Sequence, residues 1–158
     1  MNRTHRNFTL IELLTVIAII VILTGFLLPA VTKIKERTKV TRAQTDIRAL
    51  QLAIKQYEST YGYLPAAAAN PDAVKTTSTA LKDILGGTGN VRKQVFLELQ
   101  TGNLFKDPWG NDYQIALDTN YDGKVDNARI DASSTDVPGS VAIWTQDSEG
   151  DYITSWGN

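Results

Sequence analysis

The chain has no cysteine, one histidine and one methionine in 158 residues. Without cysteine there is no disulfide, no thiolate metal site and no thiol nucleophile. The one histidine, His5, stands ahead of a long apolar run, so no imidazole is at hand as general base for a domain beyond it. No glycine-rich phosphate loop occurs and no serine is set beside a base. An enzymatic reading therefore has little to stand on. Charge is missing over a long stretch too: from Leu13 to Thr32 there is no acidic or basic residue. A helix needs about 20 such residues to cross a bilayer. The run is too long for the apolar core of an ordinary signal peptide, and no small-residue cleavage site follows it.

One charge sits at the lip of that run. Glu12 lies in Phe8-Thr9-Leu10-Ile11-Glu12-Leu13-Leu14. A carboxylate there is costly, about 2.5–3.5 kcal/mol for an Asp at a helix centre on insertion scales, and persists only if it finds a cation. Cleavage before Phe8 would create an α-amine one helical turn from Glu12. The carboxylate would then pair with the amine of a neighbouring copy.

The basic leader Met1 to Asn7 (Arg3, His5, Arg6), the string Phe8 to Leu14 and the apolar stem with Pro29 together resemble the type IV pilin and type II secretion pseudopilin family. The resemblance implies a prepilin peptidase that removes the leader between Asn7 and Phe8 and N-methylates Phe8. It also implies assembly of copies into a filament with an inner-membrane platform and minor pseudopilins. Asn7 stands where the family has glycine. The implied location is a single pass through a bacterial inner membrane, with the head in the periplasm or on an extracellular filament.

Beyond the span, Val40, Ala43, Ile47, Leu50, Ile54, Tyr57 and Tyr61 recur at spacings of three and four. This is an amphipathic helix that continues the membrane helix. From Phe8 to Tyr61 it would form a rod of roughly 80 Å, with Gly25 and Pro29 as weak points. Gly62 suits the residue after a helix end. Residues 66–76 read as a loop. A short helix is expected through Leu85, stopped by Gly86-Gly87, and a second near Val91–Leu99. Strands are expected at Tyr113–Leu117, near Ala128–Ile130 and at Ser140–Thr145, so that only the last third reads as sheet. The fold class is α+β, a long N-terminal helix whose stem packs on a small antiparallel sheet. The domains are a leader at 1–7, a membrane and polymerisation helix at 8–31, the soluble half of the stem at 32–62 and a head at 63–158. Asp107-Pro108-Trp109-Gly110-Asn111 resembles the sheet entry of the major type II pseudopilin, with Asp112 in place of a proline and Tyr113 retained.

The formal net charge is only −1, but its distribution is uneven. Basic residues crowd Lys33 to Arg48, while residues 107–158 hold ten acids against Lys124 and Arg129. The basic stretch adjoins the span, so it faces lipid headgroups or another subunit's acidic head, not nucleic acid. Positive charge flanks the span on both sides, so the charge rule alone does not orient it.

A small secreted head without disulfides gains from a metal staple. Asp118, Asn120, Asp122, Lys124 (through its carbonyl) and Asp126 follow a calcium-loop spacing, with Gly123 at the sharp turn. Arg129 stands where an EF-hand carries its bidentate glutamate. The competing reading is a metal-free turn, since Asp, Asn and Gly favour turns anyway. The tail from Trp144 to Trp156 resembles the C-terminal calcium loop of the major pseudopilin, with Asp147 and Asp151 as matching side chains. The functional expectation is a structural subunit of a pseudopilus, most closely the major pseudopilin of type II secretion. A type IV pilus or surface-fibre pilin is one alternative, and a monomeric, signal-anchored periplasmic calcium-binding module is another.

Overall fold

The computed structural model describes residues 9–65, 75–76, 79–98, 106–129 and 134–156. The elements are α1 (Leu10–Tyr61), β1 (Lys75–Thr76), α2 (Thr79–Leu85), β2 (Gln114–Leu117), β3 (Lys124–Arg129), β4 (Ser134–Pro138), β5 (Val141–Gln146) and β6 (Tyr152–Thr154). The chain divides into two compact units, Met1–Thr38 and Lys39–Asn158.

α1 is one helix of 52 residues, assigned without a break through Gly25 and Pro29. Its first part is apolar on every side, and among the described residues its large side chains from Leu10 to Leu27, with Val31 and Ile34, are exposed. Thr15 and Thr24 donate their hydroxyls to the carbonyls of Ile11 and Ile20, both at 2.7 Å. These two hydroxyls are thereby satisfied within the helix, as a membrane interior demands. The helix ends where the sequence places its stop. Gly62 adopts φ +79° and its N–H donates to the Glu58 carbonyl at 2.7 Å.

In the second unit the stripe of three- and four-residue spacings is the buried one. Ala43, Ile47, Leu50, Ala53, Ile54 and Tyr57 pack with Leu81, Leu85, Tyr113, Ile115, Ile143 and Ile153. The sheet runs in the order β1-β2-β5-β6, all neighbours antiparallel. Period-two alternation in β2 and β5 serves two cores at once. Ile115, Val141 and Ile143 face the α1 cluster, while Ala116, Ala142 and Trp144 join a second cluster with Val125 and Val137. The β3–β4 hairpin supplies those valines and covers the far face, so both faces of the sheet are buried.

Four expectations are corrected. Residues 91–98 form turns, not a helix, because Asn90 takes their hydrogen bonds. Its Nδ2 donates to the carbonyls of Ile84 and Gln94, both at 2.7 Å, and its Oδ1 accepts the Gln94 amide at 3.0 Å. Phe96 and Leu97 then donate their amides to the Leu85 carbonyl. The sheet is not confined to the last third, since β1, from the stretch read as loop, pairs with β2. β3 starts at Lys124, before the expected Ala128, because the Gly123 carbonyl accepts the Gly139 amide at 2.9 Å and zips the hairpin early. The tail is a turn followed by β6, not one long loop.

A partly buried polar pair ties the stem to the residue that precedes β2. The Tyr113 hydroxyl donates to Asp46 Oδ2 at 3.1 Å. Burial raises the Asp46 carboxyl above its ordinary value, against that bond and Arg42 at 3.9 Å. Burial also pushes the Tyr113 hydroxyl up, and the Asp46 charge adds to it.

Candidate functional site: the Glu12 carboxylate and three aspartate-anchored turns

Thr9 and Glu12 close a reciprocal capping box at the start of α1. The Thr9 amide and hydroxyl both donate to Glu12 Oε2 at 2.8 Å, and the Glu12 amide donates to Thr9 Oγ1 at 3.3 Å. The signal in the sequence is T-x-x-E, in which Thr9 is the cap that the isolated charge of Glu12 does not reveal. The box uses one carboxylate oxygen. Among the described residues, Oε1 has no hydrogen-bond partner, and the Glu12 side chain is exposed. The carboxylate is thus tied to its own helix through Oε2, and its side chain is exposed. Asn7 and Phe8 lie outside the described residues.

The hairpin loop is built around Asp118, which is 4% exposed. Its Oδ2 accepts the Gly123 amide at 2.9 Å, and its Oδ1 accepts the Asp122 amide at 3.3 Å. Asn120 Oδ1 accepts that same Asp122 amide at 3.2 Å, so these two oxygens converge. Asp122 Oδ1 turns instead to the Lys124 amide at 3.1 Å. Gly123 at φ +89° and Tyr121 at φ +59° make the sharp reversal. A tyrosine in the left-handed region costs about 1–2 kcal/mol. Here its hydroxyl accepts the Leu64 amide at 2.9 Å, which fixes the loop against the end of the stem. Lys124 lies on β3, with its ammonium 3.0 Å from Asp136 Oδ2. Asp126 is also on β3, and its side chain lies outside the described set.

The tail turn repeats the device. Asp147 Oδ1 accepts the amides of Glu149 and Asp151, both at 2.9 Å, and the Asp147 amide donates to the Asp151 carbonyl at 2.9 Å. Gly150 supplies φ +95°. Among the described residues, no group of three or more histidines or acids is gathered as a metal cage. Calcium takes 6–8 oxygens. An ion between Asp118 and Asn120 would have to displace the Asp122 amide. A carboxylate offers about four lone-pair sites, so the remaining amide bond to Asp118 need not be lost.

The third such turn explains Asp107-Pro108-Trp109-Gly110-Asn111. Asp107 is 5% exposed, and its carboxylate accepts the Trp109 amide at 2.9 Å, the Asn111 amide at 2.8 Å and the Thr145 hydroxyl from β5. Gly110 takes φ +97°. Lys39 of α1 lies 6.0 Å from the Trp109 ring centroid. The motif is therefore a clasp between stem, turn and central strand.

The family model for type II secretion system protein G matches residues 30–134. The chain belongs to this family. Type II secretion system core protein G of Vibrio cholerae is 33% identical over 112 residues, which cover 71% of this chain and 70% of the relative. The core protein G of Pseudomonas aeruginosa is 31% identical over 113 residues, 72% and 74% of the two chains. The type IV major pilin PilA of Myxococcus xanthus is 43% identical, but over 58 residues, 37% of this chain and 26% of that one. Family membership and the α+β architecture agree with the expectation drawn from the N-terminal string, the stem and the tryptophan turn. α1 is long and apolar enough to cross a membrane.

Proposed function

We propose that this chain is a structural subunit of a helical pseudopilus, the major pseudopilin of a type II secretion system. The observation that carries the reading is the exposed, fully apolar start of α1 with one oriented carboxylate at its lip, on a chain of the protein G family. Such a surface needs lipid before assembly and other copies after it. The Glu12 Oε1 atom is the acceptor for the α-amine of Phe8 on a neighbouring copy. Cleavage after Asn7 by a prepilin peptidase produces that amine, and the platform and minor pseudopilins receive the processed chain. The span crosses the inner membrane once, with the head on the periplasmic side. The test is the mass of the membrane-extracted protein together with electron microscopy of sheared filaments. A chain beginning at methylated Phe8 and filaments confined to the periplasm support the reading; an unprocessed monomer removes it. Filaments extending from the cell surface would move it to the type IV pilin alternative.

For calcium we propose the Asp118 hairpin as the site. The support is the D-x-N-x-D-G-x-x-D spacing and the convergence of Asp118 Oδ1 with Asn120 Oδ1. The expected outcome is a melting temperature of the full chain in detergent that rises at several millimolar calcium relative to chelator. An ion binding only the folded state adds about 2.7 kcal/mol at a hundredfold excess over Kd. Asp122→Ala removes the rise if the hairpin is the site and Asp147→Ala if the tail turn is. A melting temperature indifferent to calcium rules out both.

A further inference from the structure

The joint between stem and sheet holds a charge that its packing does not need. Ala43 and Leu50, one helical turn before and after Asp46, are fully buried in the α1 cluster. Residues three and four apart share a helix side, so Asp46 is carried towards the same core. Its side chain is only 18% exposed. Aspartate is rarely buried unless it is well paired.

Asp46 is poorly paired. Oδ2 accepts one bond, from the Tyr113 hydroxyl at 3.1 Å, and among the described residues Oδ1 accepts none. The one cation against it is Arg42, 3.9 Å away and 71% exposed. Water and salt screen so exposed a partner. The sheet side brings no compensating charge. Tyr113 is neutral, and Asp107, whose charge acts on the Tyr113 hydroxyl, is a second acid. Asp112, next to Tyr113, is already paired with Lys106 at 3.3 Å. Asp107 shows what a settled buried carboxylate looks like here, with two amides and the Thr145 hydroxyl as donors.

We propose that the Asp46–Tyr113 joint is an acid-tightened latch between stem and head, gripping harder when Asp46 takes up a proton and relaxing when it loses one. A protonated Asp46 keeps a hydrogen bond with Tyr113, as donor or as acceptor, and no longer buries a charge. The sign follows from linkage. Burial raises the Asp46 carboxyl in the folded head above its ordinary value of 3.8. The ionised group therefore weakens the fold at neutral pH. That penalty fades as pH falls through the raised value and is gone below 3.8, where folded and unfolded chains are both protonated. Carboxylates that are well bonded in the folded state behave in the opposite sense and drive acid unfolding. The latch is a property of one chain and does not depend on the filament reading.

The test is thermal unfolding of the full chain in detergent with chelator, followed through the tryptophans at pH 7 and pH 4. Asp46→Asn, which keeps the shape and removes the charge, is expected to melt roughly 2–8 °C above the unsubstituted chain at pH 7. At pH 4 the gap should shrink to less than half of that. Tyr113→Phe takes away the one hydrogen-bond donor and should lower the melting temperature more at pH 7 than at pH 4. A gap between Asp46→Asn and the unsubstituted chain that is equal at the two pH values overturns the proposal, as does an Asp46→Asn chain that melts lower at pH 7. Should that variant fail to fold, the carbon-13 shift of the Asp46 carboxyl in the unsubstituted chain decides. A titration midpoint above 3.8 upholds the latch, and one at or below 3.8 removes it.

Discussion

The two halves of α1 are equally helical, yet they dispose of their apolar side chains in opposite ways. Before Thr38, Phe26 is 77% exposed, and Leu23 and Leu27 beside it are exposed too. After Lys39, Ile47 and Leu50 are fully buried against a sheet made by the same chain. The difference lies in the pattern. Residues 13–32 are apolar at every phase of the helix, so no single face can be covered by a domain. Residues 40–61 concentrate their apolar side chains at one phase, with Leu52 left exposed, so one small sheet covers the stripe. A continuous apolar surface calls for lipid or other copies, and a stripe calls for a head.

The comparison breaks most sharply in the second half. Leu50→Ala should destabilise the head by about 2–5 kcal/mol, the range for emptying a buried leucine site. Ile20→Ala should leave head unfolding unchanged, because Ile20 belongs to the first compact unit and its side chain is exposed. Thermal unfolding of the full chain in detergent, followed through the tryptophans, measures both. Equal shifts would mean that the span and the head unfold as one unit.

Glu12 tests the first half. Glu12→Val should insert in the membrane but give few or no filaments, whereas Thr9→Ala removes only the cap and costs the helix start about 1 kcal/mol. Filament yield should therefore fall far more for Glu12→Val than for Thr9→Ala. Equal loss from both would assign Glu12 to capping alone.

Alkali produces the smallest effect, and only in the head. Burial, with Tyr63 beside it, raises the Tyr57 hydroxyl to about 12 from an ordinary value of 10.0. A raised value favours the neutral form in the folded state, so the stabilisation is complete below pH 10 and is lost as pH rises towards 12. Tyr113 shifts in the same direction. The fall in melting temperature between pH 10 and 12 should be shallower in Tyr57→Phe. Parallel curves for the two proteins would assign the alkaline loss to other groups.

The helical half of the fold was legible because its signals are local. The stripe from Val40 to Tyr61, the Gly62 stop and the end of α2 at Leu85 each depend on residues within a turn of one another. The strands at Tyr113–Leu117 and Ser140–Thr145 stood out by their apolar runs. What escaped reading depends on partners far along the chain. β1 is two residues long and exists only because β2 lies beside it. β6 sits in an acidic stretch that composition marks as loop. Residues 91–98 lost a helix to the side chain of Asn90. At the candidate site, the position of Glu12 was legible as a misplaced charge, but its box with Thr9 was overlooked although both residues were in view. The spacing in the Asp118 loop identified oxygens without saying where they aim, and the structure turns most of them to amides.

The order in which the parts of the core are synthesised differs from the order in which they are needed. Ile47 and Leu50 leave the ribosome first, whereas Ile143 and Ile153, which cover them, lie near the end of the chain. At about 5–20 residues per second, roughly a hundred intervening residues leave the stripe uncovered for some 5–20 s. In the proposed orientation the stripe is carried across the bilayer before its cover exists. Closing the head is therefore a late, long-range event that brings the last strand back to the first helix, the kind of topology that folds slowly. A subunit that reached a growing filament before that closure would present a sticky helix in place of a finished head. Filament growth that outpaces head folding would thus incorporate defective subunits, so the rate at which β6 docks sets an upper limit on useful assembly speed.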